Sequence, residues 1–449
     1  MVLLSPERLV AGGDALARLD DGRIAFVPGA LPGDTVEAEI VDDRRDFVRL
    51  ALSDVVEPSP DRVTPRCVHR RDGCGGCGWM HLARPAQLPA KVAVVEESLR
   101  RIARLDPTEI DRLVSAGPSL PDSAARTTIR VVGIGGGVAF REEGSDRPVP
   151  ISSCPVAHPT LSGLLSELSV SPGVELTLRT SEHSGAVTAL WSRPRPSARR
   201  RRGRRGGDRQ PTRSNGPSED AGARQRAVEG LPRGVHVGPG AHLFERVAGV
   251  EFRVSAPSFW QSSAAAAEVL VATVADLAPE AVGASHLLDA YGGVGLFAAT
   301  VGRGARHVTV VESNPSAVAD ARVNLASRGP SVTVVRSDVG DWEPNGRHAP
   351  PIGEPGPGSV DVVVADPARP GLGRPGVRTL VAAGAPVVAL VSCDPVSAAR
   401  DIGLMREAGY AAERLVVLDL FPETHHVETV TRFTRFGRTI VPESSSRES

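Results

Sequence analysis

The sequence has few cysteines, few aromatic residues and no long apolar run. Only 5 cysteines occur in 449 residues, and aromatic side chains make up 4% of the chain. No apolar stretch approaches the ~18 residues that a membrane-spanning helix needs, and the N-terminus lacks the basic-then-apolar pattern of a secretion signal. We therefore expect a soluble cytoplasmic protein without a membrane partner. In a reducing compartment, clustered cysteines favour metal binding or catalysis over disulfides.

Charge is distributed unevenly along the chain. The net charge is −1, yet residues 193–213 hold ten arginines against one aspartate, which leaves −10 for the rest. Like charges, glycine, proline and low hydrophobicity predict that about 193–225 is a disordered insertion. Its arginines could attract RNA phosphates, and an insertion without a specific role is the alternative. Elsewhere, any nucleic-acid binding has to come from local patches.

Residues 1–57 have the pattern of a small β-barrel, with short apolar runs separated by glycine-containing turns. Residues 24–34 resemble the core of a TRAM domain, an OB-like RNA-binding barrel. Cations beside an aromatic ring suit a nucleic-acid face, and four residues have this pattern: Arg44, Arg45, Phe47 and Arg49. A barrel whose arginines are merely solvated is the alternative.

Four of the five cysteines have a spacing typical of metal ligands. Cys67, Cys74 and Cys77 lie in a glycine-rich loop, and Cys154 follows much later. Glycine allows a tight backbone that can turn thiolates toward one centre. Four thiolates suit a [4Fe–4S] cluster or structural zinc. The single C-x2-C unit favours the cluster, because zinc sites more often pair two such units; four unrelated thiols are a further alternative.

Two larger segments follow the barrel. Residues 58–234 contain an amphipathic helical pattern at about 88–104 and then short alternating runs, which predict a central α+β domain. Residues 235–440 alternate strands with helices, which predicts an α/β domain.

A glycine turn in the α/β segment has the pattern of a nucleoside-cofactor site. A strand leads into Tyr291, Gly293 and Gly295, and the next strand ends at Glu312. Glycines let the backbone approach the ligand, and the acid can accept both ribose hydroxyls. A dinucleotide fingerprint would look similar, so downstream residues must decide.

Three polar groups are associated with later strands of this segment. Asp366 and Cys393 each follow an apolar run, and Glu428 lies in the next polar motif. Open α/β sheets carry their chemistry beyond the carboxyl ends of their strands. Cys393 is the one thiol outside the ligand-like set, and we interpret it as a nucleophile; an inert buried cysteine is the alternative. A hydride-transfer enzyme has no need for this set, whereas a base methyltransferase does.

The barrel, the four cysteines, the glycine turn and these motifs, in this order, resemble the family of S-adenosylmethionine-dependent RNA (uracil-5-)-methyltransferases. The resemblance covers nearly the whole chain except the arginine-rich insertion and the last ten or so residues. It implies a C-terminal Rossmann-like class I methyltransferase domain behind an N-terminal TRAM barrel and a central domain with an iron–sulfur site.

The resemblance also implies roles for individual residues. Cys393 would add to carbon 6 of uracil, and Glu428 would remove the proton from carbon 5. Asp366 would lie between the uracil edge and the cofactor. The remaining contacts to S-adenosylmethionine would come from Gln261, Tyr291, Gly293, Gly295, Glu312 and Asp338.

Four residues depart from the family pattern and put fine contacts in question: Ser263, Leu296, Ala368 and Asp394. The expected partner is RNA, and the expected oligomeric state is a monomer. Family members with the four cysteines include 23S ribosomal RNA enzymes, which favours 23S rRNA as the substrate. The alternatives are transfer RNA, a non-catalytic iron–sulfur RNA-binding protein, and a nicotinamide-dependent dehydrogenase.

Overall fold

A computed structural model describes residues 1–121, 126–192, 227–344 and 360–435. The arginine-rich insertion at about 193–225 lies outside the described residues, so its disorder stays a prediction.

The N-terminal barrel is a six-stranded sheet in the order β1-β5-β6-β4-β3-β2. Its strands are β1 (Val2–Leu4), β2 (Arg8–Leu9), β3 (Ala15–Arg18), β4 (Ile24–Val27), β5 (Thr35–Asp43) and β6 (Phe47–Glu57). Alternate side chains enter the core because successive residues of a strand point to opposite faces. Val36 and Ala38 of β5 are buried in this way, and Trp79 from the next segment packs against the same cluster.

The segment after the barrel contains short helices and a second six-stranded sheet. Its elements are α1 (Val68–Arg71), α2 (Arg84–Ser98), α3 (Pro107–Leu113), β7 (Val114–Ser119), β8 (Thr128–Gly133), β9 (Val138–Arg141), β10 (Pro148–Ile151), α4 (Pro159–Leu164), β11 (Ser169–Val170), β12 (Glu175–Thr180), β13 (Val187–Ser192), β14 (Val228–Glu229) and β15 (His236–Val237). The sheet has the order β10-β9-β8-β12-β13-β15, and β11 pairs with β14.

Strands and helices alternate through most of the C-terminal part. Its elements are β16 (His242–Val247), β17 (Val250–Ser255), α5 (Ala264–Leu277), β18 (His286–Ala290), α6 (Leu296–Ala299), β19 (His307–Glu312), α7 (Pro315–Asn324), β20 (Val332–Arg336), β21 (Val362–Ala365), α8 (Gly373–Ala383), β22 (Val387–Ser392), α9 (Pro395–Glu407), β23 (Tyr410–Asp419) and β24 (Glu428–Arg435).

The C-terminal sheet has eight strands in the order β20-β19-β18-β21-β22-β24-β23-β7. The first five are parallel, and β24 lies antiparallel between β22 and β23. Every residue of β18, β21 and β22 is buried, as expected for strands covered by helices on both faces. The Rossmann-like α/β architecture predicted from the sequence is confirmed.

One edge of this sheet comes from far upstream in the chain. β7 pairs in parallel with β23, and Ile110 and Leu113 of α3 pack in the same buried cluster as Leu288 of β18. Residues of the central segment are therefore part of the C-terminal core, which brings α2 beside the connection between β23 and β24.

Candidate active site and cysteine cavity

Strand register brings Cys393 and Glu428 together. β22 and β24 are antiparallel, with Ser392 opposite Thr429, so the next position along each strand brings Cys393 beside Glu428. Glu428 is 3% exposed, whereas Cys393 is half-buried at the start of the turn into α9. A thiol that a substrate can reach therefore lies beside a carboxyl group that is shielded from water.

Asp366 reaches the same edge from the neighbouring strand. β21 lies between β18 and β22, with Ala365 paired to Ala290 on one side and to Leu390 on the other. Asp366 follows Ala365 directly, and Gln261 Nε2 donates to its Oδ2 at 3.3 Å. The segment before α5 thus places the Gln261 amide against Asp366, the residue that the family resemblance predicts to lie between uracil and cofactor.

Burial dominates the electrostatics of these three groups. Burial, and then the charges of Glu428 and Asp366, raises the pKa of the Cys393 thiol to about 12, while Arg369 acts in the opposite direction. Burial raises the pKa of Asp366 to about 7 and, with the nearby Asp366 charge, raises the pKa of Glu428 well above its usual range. Such perturbed acids are typical of sites that move protons.

The glycine turn follows β18 at the same end of the sheet. Tyr291, Gly293 and Gly295 all have positive φ angles (60°, 56° and 89°), and a Cβ on Gly295 would lie 3.0 Å from Leu325. Positive φ is costly for residues other than glycine, so Tyr291 marks a strained turn. Glu312 Oε2 accepts from Gly293 N at 3.0 Å, which fixes the turn against the end of β19.

Asp338 lies after β20 and accepts from Gly340 N at 2.8 Å. Burial, and then the charges of Asp338 and Asp401, raises the pKa of the Tyr291 hydroxyl to about 12. Sequence reasoning missed Asp289 in the middle of this region. It is fully buried, its Oδ2 accepts from Ala298 N at 2.8 Å, and its Oδ1 has no hydrogen-bond partner among the described residues. The sequence feature that could have identified Asp289 is an acidic residue inside an apolar strand, just before a glycine turn.

Two of the departures from the family pattern keep a clear local role. Asp394 caps α9 by accepting from Ser397 N at 2.8 Å, and Ser263 caps α5 by accepting from Ala266 N at 3.1 Å. Side chains of this kind satisfy free N–H groups at helix starts.

The four remaining cysteines line one cavity of about 550 Å³, together with Arg126. Burial raises the pKa of the Cys77 thiol to about 12, and Arg126 lies 4.0 Å from its sulfur. The glycine-rich loop is needed for close approach, because a Cβ on Gly75 would lie 2.8 Å from Glu143 N. The donor set, four soft sulfurs beside a cation, fits an anionic iron–sulfur cluster.

Within the described ranges, however, no group of three or more His, Cys, Asp or Glu side chains is arranged to hold a metal ion. The cluster accordingly stays a prediction. In the same part of the chain, no helix combines the length and apolar character that a membrane crossing requires.

Two of the four residues predicted to form a nucleic-acid face on the barrel, Phe47 and Arg49, lie together around Phe26. Arg49 lies over the ring of Phe26 at 5.5 Å, and Phe26 contacts Phe47 edge-on with ring centres 5.8 Å apart. Arg49 also pairs with Asp14 at 3.0 Å. The two rings are half-buried, so they offer an aromatic surface with limited net positive charge.

Comparisons with known proteins agree with this arrangement. Residues 2–49 match the TRAM domain model. An uncharacterized RNA methyltransferase of Streptomyces avermitilis is 34% identical, over 93% of this chain and 94% of its own. The 23S rRNA (uracil(1939)-C(5))-methyltransferase RlmD of Shewanella amazonensis is 30% identical, over 96% of this chain and 95% of its own.

The fold is shared with a solved structure. The Pyrococcus abyssi tRNA (uracil-54, C5)-methyltransferase, determined with S-adenosyl-L-homocysteine, superposes with a TM-score of 0.66 and 23% identity, covering 96% of this chain and 100% of that one. The sequence relatives extend over nearly the whole chain, and the family expected from the motifs is confirmed. The chain belongs to the family of S-adenosylmethionine-dependent RNA (uracil-5-)-methyltransferases.

Proposed function

We propose that this enzyme makes 5-methyluridine in 23S ribosomal RNA by covalent catalysis through Cys393. The observation that carries the proposal is the register of β22 and β24, which sets Cys393 beside Glu428, with Asp366 at the neighbouring strand end. Carbon 5 of uracil is a poor nucleophile, and a thiol, a buried acid and a cofactor turn at one sheet edge supply what its methylation needs.

The proposed reaction begins when the Cys393 thiol gives its proton to water and the thiolate sulfur bonds to carbon 6. The carbon 5–carbon 6 electron pair then moves toward oxygen 4, which makes carbon 5 enolate-like. Carbon 5 takes the methyl group from the sulfonium of S-adenosylmethionine, and S-adenosylhomocysteine is left. Glu428 accepts the carbon-5 proton, the sulfur–carbon 6 bond breaks, and the ring double bond is restored.

Two pKa values bear directly on this sequence. The thiol and Glu428 are both favoured in their protonated forms in the free protein, because burial disfavours their charges. Turnover therefore requires that each proton leaves to water before the group is used: the thiol proton before addition, and the Glu428 proton before Glu428 accepts the proton from carbon 5. Arg369 is a nearby charge that favours the thiolate.

S-adenosylmethionine would occupy the cleft at the carboxyl ends of β18 and β19. Tyr291, Gly293 and Gly295 would line it, Glu312 would accept the ribose hydroxyls, and Asp338 would contact the adenine end. Gln261 and Asp366 would lie between the methyl donor and the uracil. The hydrogen bond between Gln261 and Asp366 supports this shared position.

The RNA substrate is proposed from two supports. The Shewanella relative is named for a 23S rRNA uridine, and the TRAM-matching barrel carries the Phe26–Phe47–Arg49 surface on which a base could stack. The target base must leave its stack at a cost of a few kcal/mol, which favours a loop as the substrate.

We also propose that Cys67, Cys74, Cys77 and Cys154 hold a structural [4Fe–4S] cluster. Four thiolates on one cavity beside Arg126 support this assignment. When bound, the cluster would cross-link the glycine-rich loop to the segment around Cys154. Anaerobically purified protein should contain about four iron and four sulfide per chain, and methylation should continue after the cluster is reduced.

The function is tested by mapping 5-methyluridine in total RNA from cells with and without the protein. A 23S rRNA position should lose the modification in its absence. In vitro, RNA that contains 5-fluorouracil should trap a protein–RNA adduct. A base cannot remove fluorine from carbon 5 as it removes a proton, so the sulfur–carbon 6 bond does not break. Loss of the modification from transfer RNA alone would overturn the 23S assignment, and absence of any adduct would overturn the covalent mechanism.

A further inference from the structure

The loop that precedes Glu428 is held by α2 through buried polar contacts. We call residues 420–427, which connect β23 to β24, the base loop. Gln87 of α2 is fully buried, and its Oε1 accepts from Glu423 N at 2.9 Å while its Nε2 donates to Glu423 Oε2 at 3.1 Å. One side chain therefore binds both the backbone and the side chain of Glu423.

Lys91, one helical turn further along α2, holds the beginning of the base loop. It is the single lysine among the 52 lysines and arginines, and it is fully buried. Its Nζ donates to Phe421 O at 3.0 Å and to Asp419 Oδ1 at 2.5 Å. A buried cation is costly unless its donors are satisfied, so this contact fixes the loop start in one position.

Glu423 has a backbone conformation that needs such support. Its φ is 66°, a left-handed value that is unfavourable for a residue with a Cβ, and the residue is 8% exposed. Strain of this kind persists only where surrounding contacts determine it, and it is common at functional sites. The base loop would relax without Gln87, and Glu428 lies only five residues beyond Glu423.

The same loop contacts the cysteine segment. Trp79 N, two residues after Cys77, donates to Glu423 O at 3.0 Å, and His425 lines the cysteine cavity. Arg66, next to Cys67, lies 3.3 Å from Glu423. The cavity and the candidate base are thus connected through one strained residue.

We propose that Gln87 and Glu423 form a clamp that positions Glu428 for removal of the carbon-5 proton. They are positioning residues and touch neither uracil nor cofactor. This proposal rests on the proposed function. It further requires that the two steps of the reaction, addition of Cys393 and resolution of the adduct, depend on different contacts. Addition by Cys393, which follows β22, does not need the clamp, whereas resolution of the methylated adduct does.

The test is single-turnover kinetics on an unmodified 23S rRNA transcript with S-adenosylmethionine, following the covalent adduct on denaturing gels. Gln87→Glu sets two carboxylates against each other, and it should slow adduct resolution by ~10- to 100-fold while formation changes by less than about threefold. The methylated adduct should therefore accumulate. Gln87→Met, which only removes the hydrogen bonds, should act in the same direction if Gln87→Glu does not fold.

A second substitution provides the rescue. Adding Glu423→Gln to Gln87→Glu restores the donor–acceptor pair between the two side chains with the roles exchanged. The bond from Gln87 Nε2 to Leu82 O at 2.9 Å is not restored, so the double variant should recover part of the lost resolution rate. Arg100→Gln is the matched control, because Arg100 follows α2, its side chain is exposed, and it forms an ion pair with Glu97 of that helix and not with the base loop. It should behave like the unaltered enzyme.

Equal slowing of formation and resolution would show a general structural role and overturn the clamp, as would unchanged resolution or failure of the rescue. The unaltered enzyme on 5-fluorouracil RNA separates this from the proposed function. If it forms no adduct, the covalent mechanism itself is wrong.

Discussion

The Cys393 pocket and the cysteine cavity both contain buried thiols, and they differ in what surrounds the sulfur. Burial raises the pKa of Cys393 and of Cys77 to about 12 in each case. Around Cys393 the acting groups are the carboxyls of Glu428 and Asp366, whereas around Cys77 they are Arg126 and the other thiols.

This difference explains why the same residue type suits two kinds of chemistry. Carboxyl neighbours can accept and return protons, which a reversible addition to a base requires. Several thiols beside a cation can together bind a soft metal centre that offsets the cost of ionising them. The neighbours of a thiol, more than its burial, distinguish the two sites.

The largest effect is expected from Cys393→Ala, which removes the nucleophile and leaves the cavity intact. Methyl transfer should fall by at least about 10⁴-fold because no other group can activate carbon 5. The measurement is transfer of labelled methyl groups to 23S rRNA, with iron content as the control. Iron should be unchanged; residual methylation near the original rate would mean that Cys393 is an inert thiol.

Cys77→Ser alters the cysteine cavity and leaves Cys393 in place. It should abolish iron binding and lower stability by about 3–4 kcal/mol, the contribution expected from a tightly bound ligand. Calorimetry and iron analysis measure both. Adduct formation with 5-fluorouracil RNA at low temperature should persist, because Cys393 is untouched. A variant with full iron content and unchanged stability would contradict the proposed ligand set.

The pH dependence of adduct formation sharpens the comparison further. The reactive form of Cys393 is the thiolate, and its pKa is raised, so the rate should increase with pH from 6 to 9. Above about pH 7, where Asp366 is ionised, Asp366→Asn removes a negative charge that disfavours the thiolate, and it should move this part of the curve to lower pH by about half a unit to one unit. Exposed Asp276→Asn is the control and should not move it. A shift to higher pH would give the wrong sign and reject this account.

The smallest effect is expected from Arg369→Gln. Arg369 favours the thiolate, so its loss should move the same curve to higher pH, opposite to Asp366→Asn. The side chain is 59% exposed, and solvent screening should limit the shift to a few tenths of a unit. Measurement at low salt gives the largest signal, and an equal shift at high salt would argue against an electrostatic origin.

The shared location of the proposed active-site residues could be predicted because these residues follow strands at recognisable positions. Cys393 and Asp366 were proposed from the apolar runs that precede them, and Glu312 from the strand that it ends. Parallel strands gather their carboxyl ends at one edge, so linear order was enough to predict a shared pocket. Asp289 was missed because a single acid inside an apolar strand is a weak signal without its burial.

Contacts between distant segments could not be predicted in this way. The amphipathic pattern near 88–104 predicted a helix, and α2 occupies Arg84–Ser98, but the pattern does not reveal what the helix packs against. The amphipathic pattern places Lys91 on the solvent side, and Gln87 lies just before the pattern begins. Both are fully buried against the base loop. Their partners are more than 320 positions away.

The sequence by itself determined the alternation of strands and helices in the C-terminal part and the family, and it predicted which side chains react, because local spacing encodes where a strand ends and which side chain follows it. Only the tertiary structure decided that β7 joins the C-terminal sheet, that Cys393 lies in register with Glu428, and that α2 holds the base loop. Those relations depend on which distant surfaces pack together, and packing is a property of the whole folded chain.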